Sequence, residues 1–297
     1  MVLGAYIVVS VFTHSIMLTK KKEICVTIMK KKVTAEVISQ EKIATGIYDL
    51  WLKTEIAKDA GAGQFIGVYP KDKSTLLPRP ISICEVSDDK SALRLVYRVA
   101  GKGTDEFSHL KAGDSVYVLG VLGNGYNLDE ILGESSSITS VVLMGGGIGI
   151  PPMLQLAKEL YERGIKATVI GGYRNSELIL NHDLAKYAAL EIATEDGSVG
   201  VQGNVLNVVD KLDIHPDIIM ACGPMPMLRA IKSYTQNEIN NGCNVRAYVS
   251  LEERMACGVG ACLGCVCKTT KKDHHSHVNN TRICTDGPVF DVEDIDI

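Results

Sequence analysis

Five cysteines, Cys257, Cys262, Cys265, Cys267 and Cys284, fall within the last 41 of the chain's 297 residues, interleaved with Gly258, Gly260 and Gly264. A stretch so small and so poor in large apolar side chains cannot bury a core of its own, so it folds only around something that cross-links it. The total of nine cysteines is odd and unevenly spread. That argues against a secreted disulfide framework and for a metal site in a reducing, cytoplasmic setting. Cys257-x4-Cys262-x2-Cys265, followed after eighteen residues by Cys284, has the spacing of a plant-type [2Fe–2S] site. Glycines without a Cβ let such a loop wrap closely and aim backbone N–H groups at the sulfurs, which tunes the reduction potential. Structural zinc is the competing reading. It usually takes paired C-x2-C knuckles, and only one such pair is present. Cys267 stands outside the ligand set, because the first three positions already match the spacing. His274, His275 and His277 lie in a Lys- and Asn-rich stretch and read as a solvated insertion.

Ahead of the tail the apolar pattern changes character. The segments Val33–Ser39, Ile47–Leu52, Ala92–Val99 and Ser115–Leu119 are strand-length and broken by glycine and proline, with no helical period between them. They predict a small antiparallel barrel. From Ser140 the chain alternates. Strands are expected at Ser140–Met144, Ala167–Gly172, Asp217–Cys222 and Val245–Val249, and helices at Pro151–Arg163, His182–Leu190 and Met225–Ile239. Strand–helix alternation predicts a doubly wound parallel sheet. The expected class is therefore multidomain β plus α/β, with units at 29–137, 138–242 and 243–297. A composition of 46% hydrophobic and 22% charged residues supports ordinary cores. The net charge, 31 − 35 = −4, gives no basis for a nucleic-acid partner.

Residues 1–28 are read apart from this fold. Val2–Leu18 is largely apolar, but Lys20–Lys22 follow it, whereas a secretory signal has its charges first. The stretch is shorter than the ~20 residues a spanning helix needs. A reversed-orientation anchor stays open, but no membrane partner is expected. Met29, followed by Lys30–Lys32, makes a natural start for the first strand.

Two candidate nucleotide sites precede the cysteines. Gly145, Gly146, Gly147 and Gly149 end a strand and open a helix at Pro151. Glycines there let the backbone approach a diphosphate, and the helix N-terminus supplies free N–H groups. In the barrel region Arg79-Pro80-Ile81-Ser82 and Gly103-Thr104 offer a fork for phosphate oxygens and hydroxyls for a ring nitrogen or a helix cap. The cap is expected on a segment Asp105–Leu110. Cys222-Gly223-Pro224 ends a strand on the sheet's carboxyl side, where open α/β sheets bind ligands. Cys222 reads either as a buried structural thiol or as a residue near a reacting nicotinamide. Arg174 suits a 2′-phosphate and nearby Glu177 opposes one, so NAD and NADP are not distinguished by these residues.

Together these pieces resemble the ferredoxin–NADP reductase superfamily, as do Leu119-Gly120-Val121-Leu122-Gly123-Asn124-Gly125 and Thr194-Glu195-Asp196-Gly197-Ser198. The tail from Glu252-Glu253-Arg254-Met255-Ala256-Cys257 through Cys265, with Cys284-Thr285-Asp286-Gly287-Pro288-Val289-Phe290, is more specific. It resembles the electron-transfer subunits of type B dihydroorotate dehydrogenases, over roughly Lys32–Phe290. The resemblance implies FAD at Arg79, Pro80, Ile81, Ser82, Val96, Tyr97, Arg98, Gly103 and Thr104. It implies a [2Fe–2S] cluster on Cys257, Cys262, Cys265 and Cys284, and NAD at Gly145–Gly149 with Cys222. It further implies an FMN-containing catalytic partner in a heterotetramer of two of each subunit. Electrons from dihydroorotate would then reach NAD in pyrimidine biosynthesis. Two features depart from the pattern: Ile81 stands where an aromatic residue is common, and the Cys265–Cys284 interval is slightly long. The other readings are the small subunit of an NAD(P)H–ferredoxin oxidoreductase and a zinc-stabilised flavin-binding regulator without turnover.

Overall fold

The structure is a computed structural model and describes residues 30–133, 138–272 and 277–297. The leader, Met29, Cys25, His274 and His275 lie outside the described residues. No helix among the described residues is long and apolar enough to cross a membrane.

The first six strands are β1 (Lys31–Ala44), β2 (Ile47–Lys53), β3 (Phe65–Tyr69), β4 (Arg79–Val86), β5 (Ala92–Arg98) and β6 (Ser115–Leu122). They close into an antiparallel barrel in the order β1-β2-β5-β4-β3-β6. Alternation explains the closure: Ala35 and Val37 of β1, Leu50 and Leu52 of β2, and Leu93, Leu95 and Tyr97 of β5 all point into one core. Two strands were not anticipated. β3 is short and interrupted by Gly67, and β4 carries Pro80 near its start, both features that weaken a strand pattern. Helix α1 (Lys102–Phe107) follows β5 and α2 (Leu128–Leu132) follows β6. α1 starts at Lys102, three residues before the segment expected to be capped by Thr104. Thr104 sits inside the first turn instead, and its hydroxyl accepts from the amides of Ala100 and Gly101 at 2.9 and 3.2 Å.

The remaining elements are β7 (Val141–Gly146), α3 (Pro151–Glu162), β8 (Ala167–Tyr173), α4 (Asn181–Leu184), β9 (Ala189–Thr194) and β10 (Val201–Gln202). They continue with α5 (Val205–Leu212), β11 (Ile218–Cys222), α6 (Met225–Asn240), β12 (Arg246–Ser250), β13 (Val266–Lys268), β14 (Asn280–Arg282) and β15 (Val289–Asp291). The large sheet runs β10-β9-β8-β7-β11-β12-β15. It is parallel except for β15, which pairs antiparallel with β12. The expected helix over His182–Leu190 is corrected: one turn, α4, is followed by strand β9, hydrogen-bonded to β8. Ala, Leu and Lys are good helix formers, but the parallel register with β8 draws Ala189–Thr194 into the sheet. Arg246–Ser250, the strand expected at Val245–Val249, pairs parallel with β11 in this sheet.

Helix α3 joins the two layers. Its Met153, Leu154, Leu156, Ala157 and Leu160 are completely buried, each large side chain contributing about 1.5–3 kcal/mol. Three of its polar residues, Gln155, Lys158 and Glu159, face the barrel rather than water. Gln155 Oε1 accepts from Val86 N at 2.8 Å, Lys158 Nζ donates to Val86 O at 3.2 Å, and Glu159 accepts from Ala62 N at 2.9 Å.

Candidate functional site

A cleft of about 360 Å³ opens between the barrel and the end of the large sheet. Barrel strand ends supply Arg79, Pro80, Ile81, Ser82, Val96, Tyr97 and Arg98, and Thr104 comes from α1. Gly103 does not line the cleft but shapes it: a Cβ there would lie 2.6 Å from Arg79 Nε, so the guanidinium lies flat on the glycine. Arg79 Nη1 also donates to Leu77 O at 2.6 Å, which fixes the fork at the cleft mouth. The amides of Lys102, Gly103 and Thr104, the first of α1, have no partner within the helix. Tyr97 is held by a bond from its hydroxyl to Gln40 Oε1 (2.9 Å) and by a near-parallel stack on Tyr48. Burial, with Tyr48 beside it, raises its phenol above the ordinary range. Ile81 gives the cleft an aliphatic wall. Sequence reasoning missed the opposite wall: Ser250, Leu251, Glu252, Glu253, Met255 and Pro288. These residues end or follow β12 or precede β15, so only the tertiary fold brings them to the barrel.

A second cleft of about 370 Å³ lies along the carboxyl ends of the parallel strands. Gly146, Gly147 and Gly149 line it together with Gly172, Arg174, Glu195, Asn204 and Pro224. Gly145 does not. It packs on Ile150 and Met153 at the start of α3, where a Cβ would sit 2.8 Å from Ile150 Cα. Gly147 takes a positive φ of 53°, a conformation that costs other residues energy. Gly149 lies against the β11 turn, where an added Cβ would meet the Cys222 carbonyl carbon at 2.5 Å and Gly223 N at 2.6 Å. The Cys222 side chain enters neither cleft and is 1% exposed. Burial and the nearby Glu252 charge push its thiol up to about 12, against a bond from Ser250. The residues beyond β8 and β9 were legible in principle, since ligands gather at strand carboxyl ends.

Arg98 and Glu252 line both clefts. Solvent reaches Glu252 through these openings, but the surrounding protein still raises its carboxyl above the usual carboxylate range, with Arg98 opposing.

The cysteines form a third site beside the first cleft. Gly258 (φ 68°) brings the loop onto the barrel, where a Cβ would lie 3.1 Å from Leu122 Cδ1. Val259 N donates to Cys257 Sγ at 3.4 Å and Gly260 N to Cys284 Sγ at 3.2 Å. Asn124 ties the Cys284 loop to the barrel, its side-chain amide donating to Thr285 O at 2.9 Å. Cys257 and Cys262 neighbour one another, as do Cys265 and Cys284. Burial opposes ionisation of Cys257, yet the amides of Val259, Ala261 and Cys262 and the Cys262 thiol bring it down to about 6. Burial and the neighbouring Cys265 raise Cys284 to about 11. Two thiol pairs with N–H donors suit a two-iron cluster. Among the described residues, no three His, Cys, Asp or Glu side chains converge on a single ion position. Cys267 is half-buried on β13, paired across to Thr281 of β14. His277 is exposed.

Comparison with known proteins follows this layout. Residues 252–296 match the family model described as the iron–sulfur cluster binding domain of dihydroorotate dehydrogenase B. The chain is 40% identical over 266 residues to the dihydroorotate dehydrogenase B (NAD(+)) electron transfer subunit of Listeria innocua, covering 88% of this chain and 98% of that protein. It is 41% identical over 258 residues to the same-named subunit of Streptococcus pneumoniae, covering 86% and 95%. The solved structure of an NADH-dependent reduced ferredoxin–NADP oxidoreductase superposes with a TM-score of 0.75 at 28% identity, covering 90% of this chain and 91% of that one. Phthalate dioxygenase reductase shares the fold at 17% identity and a TM-score of 0.56, covering 85% and 94%. The chain belongs to the family of dihydroorotate dehydrogenase B electron transfer subunits.

Proposed function

We propose that this chain carries electrons between a catalytic partner, which oxidises dihydroorotate at FMN, and NAD, in the cytoplasmic synthesis of pyrimidines. FAD occupies the barrel cleft, held by Arg79, Pro80, Ile81, Ser82, Val96, Tyr97, Arg98, Gly103 and Thr104. NAD approaches along Gly146, Gly147 and Gly149, with Gly145 and Cys222 supporting the turn from behind. Cys257, Cys262, Cys265 and Cys284 hold the [2Fe–2S] cluster. When bound, the cluster passes single electrons, nicotinamide takes a hydride, and a flavin handles either, so the set converts one currency into the other.

One adjacency carries this reading: Met255 and Pro288, two residues before Cys257 and four after Cys284, are themselves walls of the flavin cleft. The cysteine loop and the flavin site are therefore neighbours along the chain and in space. Arg98 and Glu252 are shared by the two clefts, which supports a reading in which the nucleotide's reacting end would meet the flavin's there. Arg79 would clamp the diphosphate. Cys262 and Leu263 are exposed, Leu263 at 63%, and supply the face for the catalytic partner in a complex of two of each subunit. We divide the chain into a flavin barrel, a nucleotide unit whose parallel strands end at Ser250, and a cluster tail beyond it that adds β15 to the sheet's edge.

Purified protein tests this directly. Expected are a red-brown colour, two irons and two labile sulfides per chain as a [2Fe–2S] site demands, and one FAD per chain. A yellow, zinc-containing protein overturns it. The 28%-identical ferredoxin–NADP oxidoreductase neighbour supports a second reading, a ferredoxin-coupled reductase, which predicts ferredoxin-dependent and dihydroorotate-independent turnover.

A further inference from the structure

The seam between barrel and large sheet carries a charge cluster that neither cleft uses. Arg94, in the middle of β5, is 13% exposed and meets three carboxylates. It donates through Nε and Nη2 to Asp49 Oδ2 at 3.0 and 2.7 Å, and through Nη1 to Glu85 Oε2 at 3.1 Å. The same Nη1 lies 3.0 Å from Asp183 Oδ2. Asp49 and Glu85 stand on β2 and β4, the barrel neighbours of β5, whereas Asp183 comes from α4 on the nucleotide side. Lys186 also holds Asp183, at 2.6 Å, and Lys158 of α3 pairs with Asp88 beside the cluster. The ring of Trp51, the chain's single tryptophan, has its centroid 5.8 Å from the Arg94 guanidinium carbon. Four residues further along β5 stands Arg98, which lines both clefts.

We propose that Arg94 and Asp183 form a latch that positions the nucleotide sheet on the barrel, so that the flavin and nicotinamide clefts meet at Arg98 and Glu252; this rests on the cleft assignments given above. Lys186 shares Asp183 and Lys158 lies 3.9 Å from Glu85, but among the described residues Arg94 alone touches all three carboxylates. Removing it leaves Asp49 without that partner and unfastens Asp183 from the barrel, and breaking a largely buried ion pair costs more than the pair itself contributes. Only a planar fork reaches partners on both sides, so lysine is no substitute. The seam has other fastenings: Gln155 and Lys158 on Val86, and Thr45 Oγ1 on Glu177 at 2.6 Å. Opening the latch therefore tilts the sheet rather than releasing it. Hydride transfer feels a tilt most, because the reacting atoms must come within about 3–3.5 Å.

Asp183→Asn in the FAD-loaded protein is the cleanest test, since Arg94 keeps Asp49 and Glu85 and the barrel is untouched. Expected are FAD content and NADH affinity near wild type. Flavin reduction by NADH should be slower by roughly tenfold, the cost of a sub-ångström misplacement, and Trp51 emission should shift. Asp183→Glu, which keeps the carboxylate, should restore most of the rate. Arg94→Lys should show the same loss, without multiplying that of Asp183→Asn in the double variant. An unchanged rate in Asp183→Asn overturns the latch, as does a loss matched by weaker NADH or FAD binding, or losses that multiply. If NADH does not reduce the wild-type flavin at all, the cleft assignment fails instead. Trp51 emission then decides the latch alone, and an unshifted spectrum in Asp183→Asn overturns it.

Discussion

Gly149→Ala probes the nucleotide cleft with a single methyl group. The added Cβ would lie 2.5 Å from the Cys222 carbonyl carbon and 2.6 Å from Gly223 N, where contacts below 3.4 Å are already tight. The Cys222 carbonyl oxygen is nearer still, so relief requires a separation of about 1 Å or more. Both sides of the contact are backbone, so no side chain can swing away. Either the β7–α3 turn or the Cys222-Gly223-Pro224 turn must move by that amount. Such overpacking costs about 1–3 kcal/mol of stability. The functional cost is larger, because a misplacement near 1 Å slows a positioned reaction on the order of a hundredfold. Arg79 and Gly103, the proposed flavin clamp, lie on the barrel side and do not touch Gly149, so FAD and iron content should stay normal. The assay is rapid-mixing reduction of the flavin by NADH, alongside FAD content and thermal unfolding. A rate near wild type in a folded, FAD-loaded Gly149→Ala protein would refute the close approach of the two turns and the site built on it.

Two further perturbations reach other parts of the molecule. Gly103→Ala should drive Arg79 off its seat, where a Cβ would meet Nε at 2.6 Å, and weaken FAD binding by roughly tenfold or more, the loss of one charge-assisted hydrogen bond; flavin fluorescence on dilution measures it, and unchanged retention contradicts the clamp. The pH dependence of stability should carry the signature of the seam. Burial opposes ionisation of Asp183, but Lys186 and Arg94 outweigh it and lower its pKa below 3.8 in the folded chain. The folded state then binds fewer protons than the unfolded one. The contribution of Asp183 is complete above 3.8 and is lost as pH falls through the lower folded value. Urea unfolding followed by Trp51 emission should therefore weaken more steeply with acid in wild type than in Asp183→Asn, and parallel acid limbs would contradict it.

How far the sequence revealed this molecule depends on how local each signal is. The cysteine spacing, the glycine turn before Pro151 and the Arg79–Ser82 segment are short-range patterns, and the place of the glycine turn between a strand and a helix follows from neighbouring residues. Strand β4 was hidden by Pro80, and β9 by residues that favour helix until β8 pairs with them. Helix α5 is rich in β-branched valine, which masks its helical period; its start is marked by Asn204, whose side chain accepts from Leu206 N at 2.9 Å. The second wall of the flavin cleft was beyond reach for a different reason. Glu252 and Pro288 meet Arg79 only because β12 and β15 pair at one edge of the sheet, a non-local fact. The charge cluster at Arg94 has the same origin, joining residues from β2, β4, β5 and α4.

The most direct measurement combines the purified chain with an FMN-containing dihydroorotate dehydrogenase catalytic subunit and follows NADH formation on addition of dihydroorotate and NAD. NADH should form only when both subunits are present. Cys262→Ser, which removes one of the proposed cluster thiols and no residue lining the flavin cleft, should keep FAD and NADH-driven flavin reduction while losing the dihydroorotate-dependent signal. Undiminished dihydroorotate-dependent NADH formation by the Cys262→Ser complex, or its absence from the wild-type complex, would contradict electron passage through this chain.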